Sequence, residues 1–399
     1  MKRTISLQLI TVAVFLATLL AVSPSWASSA TCLEKAKAES INSGLPILIK
    51  VGTEWSEASA DFDNVAEADD DLKAALEKNV ILCTVDAKKD KGVEVAAMYS
   101  VRNFPTFILT NSRGETIDRW YGYACHDCFV KRLVKSVEDQ VTVNERVLRF
   151  QDDPTEEDAS KLGDIRHAEG MFAEAAAYYH RAQELNTDSE TNYDTLIFNS
   201  MAYGNYYQLY STDQVKNQAD IVLASDKRSD KDLIKVAMSM YKVSHRTNDL
   251  TVFLPYLKAG VEQTANSEDE GVLKKRAKLM PEYTLHIEKD TDKAIALKKG
   301  TMPDGWLENA KQLNTFAWWC FQNKVNLPEA QIMAQRGIEL ASAGREKANI
   351  LDTLAEICNL SGDCGEAVDY IQMAVVEDPE NEYFQEQLVR FEKLLAAQR

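Results

Sequence analysis

The chain of 399 residues is poor in the groups most catalytic sites use. Its five histidines are scattered, and no H-x-x-x-H or second C-x-x-C completes a zinc set, so no metal is expected. Glycine-rich phosphate loops and carboxylates at catalytic spacing are missing too, and no cofactor is expected. Basic clusters are scarce. The densest, Lys274-Lys275-Arg276, reads as a solvated helix face. With a formal net charge of −17 and a pI near 4.9, the surface repels phosphate backbones, which argues against nucleic acid as a partner. Beyond the N-terminus no apolar run approaches the length of a spanning helix.

The N-terminal segment itself reads as a leader. Lys2 and Arg3 precede an apolar run from Ile5 to Val22, followed by Pro24 and cleavage options such as Ser25-Trp26-Ala27. Thr11 and Thr18 interrupt the run, so a cleaved signal peptide over 1–30 is expected rather than a retained anchor. The expected protein is then exported, periplasmic or secreted, with no membrane contact after cleavage. No lipobox-like leucine precedes Cys32. Export permits disulfides. The cysteines number seven, an odd count that leaves at least one free thiol or an intermolecular bond. Two close pairs stand out, Cys125/Cys128 and Cys358/Cys364.

Residues 31–42 read as a charged helix closed by Ser43-Gly44, and Pro46–Gly52 as a buried strand. Helices follow over 57–66 and after the acidic run Asp69-Asp70-Asp71. Val80–Asp86 is a short apolar run of the kind a central parallel strand needs. Next come a short helix over 93–99 and two strands, 104–110 and 116–121, around the turn Asn111-Ser112-Arg113-Gly114. A last helix starts near Cys125 and carries Phe129, Leu133 and Val137. This order, with Trp55 after the first strand, Val101-Arg102-Asn103-Phe104-Pro105-Thr106 about fifty residues on and then Gly122, resembles a thioredoxin-fold domain over 31–140. The fold class implied is α/β, a mixed sheet between helices. In that family Trp-Cys-x-x-Cys opens a helix and faces a cis-proline. Here the segment is Trp55-Ser56-Glu57-Ala58-Ser59, with hydroxyls where the resemblance implies thiols.

Past residue 150 strand signals vanish. Leu162-Gly163, Gly170, Ala175, Tyr179, Ala182 and Leu185 share a frame with Leu354-Ala355, Gly362, Ala367, Ile371, Ala374 and Pro379. Ala330, Ala334, Gly337 and Leu340 follow Ala317-Trp318-Trp319 in a looser copy. The frame is similar to tetratricopeptide repeats, paired antiparallel helices in which small residues admit large ones. The expected division is a linker over 141–158, helical and degenerate repeats over 159–310, and repeats over 311–399. Tyr193, Tyr203, Tyr206, Tyr207 and Tyr210 either line a concave surface or pack between helices.

Thioredoxin-type exchange needs a thiolate and a resolving thiol. Ser56 and Ser59 supply neither, and Ser56 reads as a helix cap. The resemblance implies that Phe104, Pro105 and Thr106 form a peptide groove, with Pro105 cis. Cys125-His126-Asp127-Cys128 opens a helix, and the resemblance implies that it lies at the sheet edge that also holds Trp55 and Pro105. Three readings compete there: an inert pair, a displaced redox pair, and half of a metal site. Cys358 and Cys364 flank a short loop, open to a disulfide or to packing, while Cys83 and Cys320 read as core residues. Two functions compete accordingly. One is a binding module that holds a protein or peptide partner through the repeats and the groove. The other is a thiol-disulfide oxidoreductase using Cys125 and Cys128.

Overall fold

The computed structural model describes residues 29–123, 125–186, 190–247 and 249–398. The expected leader lies outside them except for Ser29 and Ala30, which open the first helix. The chain forms two compact units, divided between residues 187 and 188.

The first unit begins with α1 (Ser29–Ser43), β1 (Ile47–Gly52), α2 (Glu57–Ala68), α3 (Asp70–Asn79) and β2 (Ile81–Asp86). It continues with α4 (Gly92–Met98), β3 (Thr106–Thr110), β4 (Thr116–Tyr121) and α5 (His126–Glu138). The sheet order is β2-β1-β3-β4, with β1 and β2 parallel and β3 antiparallel to both β1 and β4. Strand β4 therefore runs parallel to β1. Every residue of β1 is buried, because helices cover both faces of the sheet and an apolar run without alternation is what such a strand needs. On one face Ile47, Ile49 and Val51 pack with Leu33, Ala36 and Val95. On the other, Leu48 joins Phe62, Leu72, Phe107, Phe129 and Leu133.

The segment expected as a linker is structured. Helix α6 (Val143–Asp152) starts at a capping box formed by Thr142 and Glu145. Its Arg146 is fully buried and lies 2.5 Å from both Asp139 and Asp158. Burial of this cation is tolerable because the guanidinium meets two carboxylates. Helices α7 (Glu156–Glu169) and α8 (Phe172–Leu185) follow as a hairpin, and α7 packs against β4. Gly163 of α7 sits under the ring of Tyr179 of α8, where a Cβ would come within 2.6 Å of Cε1. The small-against-large frame read from sequence is thus a packing contact.

The second unit is helical among its described residues. It comprises α9 (Tyr193–Tyr206), α10 (Thr212–Ala224), α11 (Asp230–Thr247), α12 (Leu254–Glu262), α13 (Glu270–Tyr283) and α14 (Thr291–Gly300). Then come α15 (Ala310–Asn323), α16 (Leu327–Leu340), α17 (Arg345–Ser361), α18 (Cys364–Glu377) and α19 (Glu382–Gln398). Sequential helices pack in pairs from α9/α10 to α17/α18, and α19 lies on α18. Short loops make such neighbours antiparallel. Pro281 sits inside α13, and a π-helical turn at Thr284–Glu288 separates α13 from α14. The expected tyrosine group divides: Tyr193 is core, while Tyr203, Tyr206 and Tyr207 are exposed near the end of α9.

Candidate functional site

Strand β1 ends at Gly52 and delivers the Trp55 loop to one edge of the sheet. Register places Val51 beside Thr106 and Thr106 beside Tyr121. The ends of β1 and β4 and the start of β3 therefore share that edge, as the resemblance implied. Trp55 is 70% exposed and its ring meets Phe104 edge-on, with centroids 5.6 Å apart. The Phe104–Pro105 bond is cis. Thr106 is buried and its hydroxyl donates to the Asn103 carbonyl at 2.6 Å. Gly122 N–H donates to the Pro105 carbonyl at 2.8 Å, tying the β4 end to the proline.

Ser56 caps α2. Its Oγ accepts the Ser59 N–H at 3.3 Å and donates to the Phe104 carbonyl, also at 3.3 Å. The hydroxyl is thus engaged with backbone, not with a general base, and activation as a nucleophile has no support. Ser59 is buried and its hydroxyl has no hydrogen-bond partner. Beneath them lies a residue the sequence reading passed over. Lys50, in mid-β1, is 2% exposed, and its Nζ lies 2.6 Å from Asp63 and 3.3 Å from the Ser59 carbonyl. The one signal available was a lysine inside an apolar strand. Gly52 leaves room for it, since a Cβ there would stand 3.1 Å from Lys50 Nζ and 3.0 Å from Ser59 Oγ. Also unread from sequence was a cavity of about 720 Å³ beside edge strand β2, floored by Phe62, Leu76 and Leu82 with Lys73 and Glu77 at its rim.

Cys125 and Cys128 form a disulfide with their Cα atoms 5.4 Å apart. Cys125 is the N-cap of α5, and its sulfur accepts the Cys128 N–H at 3.1 Å. Cys125 is half-buried and Cys128 exposed. His126 Nδ1 lies 3.3 Å from Asp69, the cap of α3. Tyr123 packs on Phe62 and Phe129, so the turn before the pair is anchored over the α2 side of the sheet. Joined to each other, these sulfurs offer no thiolate to a metal. Among the described residues no three histidine, cysteine or carboxylate groups converge as a metal site.

The other cysteines separate into two kinds. Cys83 is buried in β2 as expected, but it is bonded to Cys32 of α1, a partner the spacing did not announce. Cys358 and Cys364, open to a disulfide from sequence, are free buried thiols. Each is turned to its own acceptor, Cys358 to Glu366 at 3.7 Å and Cys364 to Asn359 at 3.3 Å. Packing is the alternative realised. Burial pushes the Cys358 thiol up to about 12, and Cys320, wholly buried, likewise up to about 12.

Residues 33–136 match the family model for a thioredoxin-like domain. No curated protein matches the chain. Among solved structures, it is similar to a tetratricopeptide repeat protein from Parabacteroides merdae, with 14% identity and a TM-score of 0.40 over 66% of this chain and 94% of that one. It is also similar to TTC0263, a tetratricopeptide repeat protein of Thermus thermophilus, with 15% identity and a TM-score of 0.25 over 60% of this chain and 99% of that one. A third is the TPR2AB domain of yeast Sti1 in complex with pHSP90, at 12% identity and a TM-score of 0.23, covering 59% of this chain and 98% of that one. The chain is a thioredoxin-like domain with Ser56 and Ser59 after its tryptophan, followed by helical repeats.

Proposed function

We propose that this is an exported protein-interaction module of the bacterial envelope, in which the thioredoxin-like domain has kept a surface for an extended partner segment and lost the redox chemistry of the Trp55 loop. One observation carries the reading: Trp55 stays 70% exposed on Phe104, beside Pro105, although the residues that follow it are serines. An exposed large aromatic costs solubility, and tryptophan is the side chain most enriched at binding hot spots. A hydroxyl in place of the thiol leaves such a surface without covalent turnover. The helical pairs supply a second surface, and two weak contacts on one chain reinforce each other by effective concentration.

The experiment is affinity capture from envelope extract with the full mature chain, compared with Trp55→Ala. The reading expects a defined protein retained by the parent and retained at least about tenfold less by the variant, the range of a hot-spot loss. Equal retention by both removes the Trp55 surface from the function. N-terminal sequencing and cell fractionation test export separately: a mature start near Ala27 or Ala30 supports it, and recovery of the uncleaved chain in the cytoplasmic fraction overturns it.

A further inference from the structure

We propose that the Cys125–Cys128 disulfide is a thiol–disulfide exchange site for cysteines of a protein or peptide, entered at Cys128 with Cys125 as the leaving thiolate. The site is separate from the Trp55 loop and stands or falls independently of the partner surface proposed there. Three observations converge on it. The sulfurs are already joined, and Cys128 is exposed to solvent, so a thiolate can approach its sulfur. Cys125 is less exposed and sits at the cap of the 13-residue helix α5, accepting the Cys128 N–H at 3.1 Å. A backbone donor and the positive end of a helix both favour a thiolate there, and the better-stabilised thiolate leaves faster. The chain also contains its own contrast. Cys83 of the Cys32–Cys83 bond is wholly buried inside β2 and Cys32 is partly buried in α1, so neither cysteine of that bond is exposed as Cys128 is.

The chemistry balances without another reagent. A substrate thiolate attacks Cys128 Sγ; a new S–S bond forms, the Cys125–Cys128 bond breaks, and its electron pair goes to Cys125. A second substrate thiolate attacks the mixed disulfide at the substrate sulfur and releases Cys128. The substrate dithiol has lost two electrons and become a disulfide. The pair has gained them, and the two substrate protons end on Cys125 and Cys128. The surroundings choose the substrate's charge. Asp127 and Asp61 are exposed, and Asp69 is contacted by His126 beside the cap. Both Asp61 and Asp69 act on Tyr123, two residues before Cys125. Such an acidic rim favours cysteines flanked by lysine or arginine over acidic ones.

The test uses the purified full chain equilibrated in graded mixtures of reduced and oxidised glutathione, then alkylated and mapped by peptide mass spectrometry. The pair is expected to pass from oxidised to reduced within the series while Cys32–Cys83 stays oxidised. If Cys125–Cys128 remains closed in the most reducing mixture, or changes only when Cys32–Cys83 does, the pair is a structural bond and the proposal is overturned. Brief exposure to reduced glutathione followed by acid quench reads the roles: glutathione on Cys128 should exceed glutathione on Cys125 at least about tenfold, and the reverse overturns the assignment. A lysine-flanked single-cysteine peptide should exchange several-fold faster than a glutamate-flanked one, each normalised to its rate with a small neutral disulfide, and salt should narrow the difference. Equal normalised rates remove the charge preference.

Discussion

Lys161 of α7 forms an ion pair with Asp118 of β4, a bond between the first repeat helix and the sheet of the thioredoxin-like domain. Asp118 is fully buried and also receives Arg132 of α5 at 3.0 Å and the Ser136 hydroxyl. Burial works to raise its carboxyl, but the Arg132 and Lys161 cations outweigh that and hold it below the usual value. Arg132 extends the link to Asp164 of α7 at 3.1 Å. Taking away one cation leaves a buried charge under-compensated, so Lys161→Ala should lower stability by about 3 kcal/mol. Urea denaturation followed by near-ultraviolet circular dichroism measures it, and a loss under about 1 kcal/mol refutes the idea that α7 is fastened to the sheet by this network. Because the folded carboxyl is depressed, the stabilisation is present above the unfolded carboxylate pKa and is lost as pH falls below about 4.

Ser56 and Ser59 make opposite contributions to the same helix. Ser56 caps α2 and bonds to Phe104, so Ser56→Ala should cost about 1 kcal/mol. Ser59 buries a hydroxyl with no partner, so Ser59→Ala should stabilise by about 1 kcal/mol, helped by the helix propensity of alanine. Denaturation midpoints of the two variants moving in the same direction would contradict this account.

The element order of the thioredoxin-like domain was legible because β1 is buried on both faces and the turns are marked by Gly44, Gly114 and Gly122, all at positive φ. Helix pairing was legible through Gly163 and Tyr179. The structured 141–158 segment was not, because Arg146 and Asp158 are charged residues whose burial depends on each other. Pattern reading assigns charges to solvent one at a time, and a pair that cancels in space leaves no local mark. The Cys32–Cys83 bond escaped for a related reason: its ends are 51 residues apart, and only the packing of α1 on β2 joins them. The position of Cys125 and Cys128 at the site edge was readable only through the resemblance, which supplies the direction of the last strand; the register of β1, β3 and β4 bears that direction out.

A pH dependence is built into α17. Asp352 is pushed up to about 7, first by burial and then by neighbouring Glu356, while the Tyr383 hydroxyl at 3.2 Å and Arg390 pull it down. Glu356 is raised as well, by burial, against its ion pair with Arg390. The unfolded carboxyl titrates near 4. Folding therefore holds a proton on Asp352 between about 4 and about 7, and stability from this group is full below pH about 4 and lost as pH rises to about 7. The loss is on the order of 4 kcal/mol. In Asp352→Asn this part of the slope should vanish, making the variant more stable than the parent at pH 8 and similar at pH 4. Parallel stability profiles for the two proteins from pH 4 to 8 would show that Asp352 is not the titrating group.

The same substitution at two glycines should have opposite signs. A Cβ at Gly163 would stand 2.6 Å from Tyr179 Cε1 and 2.7 Å from Cδ1. The ring cannot swing aside cheaply: Tyr179 is buried and its hydroxyl donates to Asp164 at 2.8 Å. Overpacking of that kind costs about 1–3 kcal/mol, more than the roughly 1 kcal/mol of helix propensity alanine returns. Gly365, in the first turn of α18, has nothing within 4 Å of where its Cβ would sit. There only the backbone entropy of glycine changes, and Gly365→Ala should stabilise by about 0.5–1 kcal/mol. Thermal unfolding of the two single variants decides the matter. A stabilised Gly163→Ala would mean that α7 and α8 are not packed closely enough at this point to form the repeat contact, whatever the sequence frame implies.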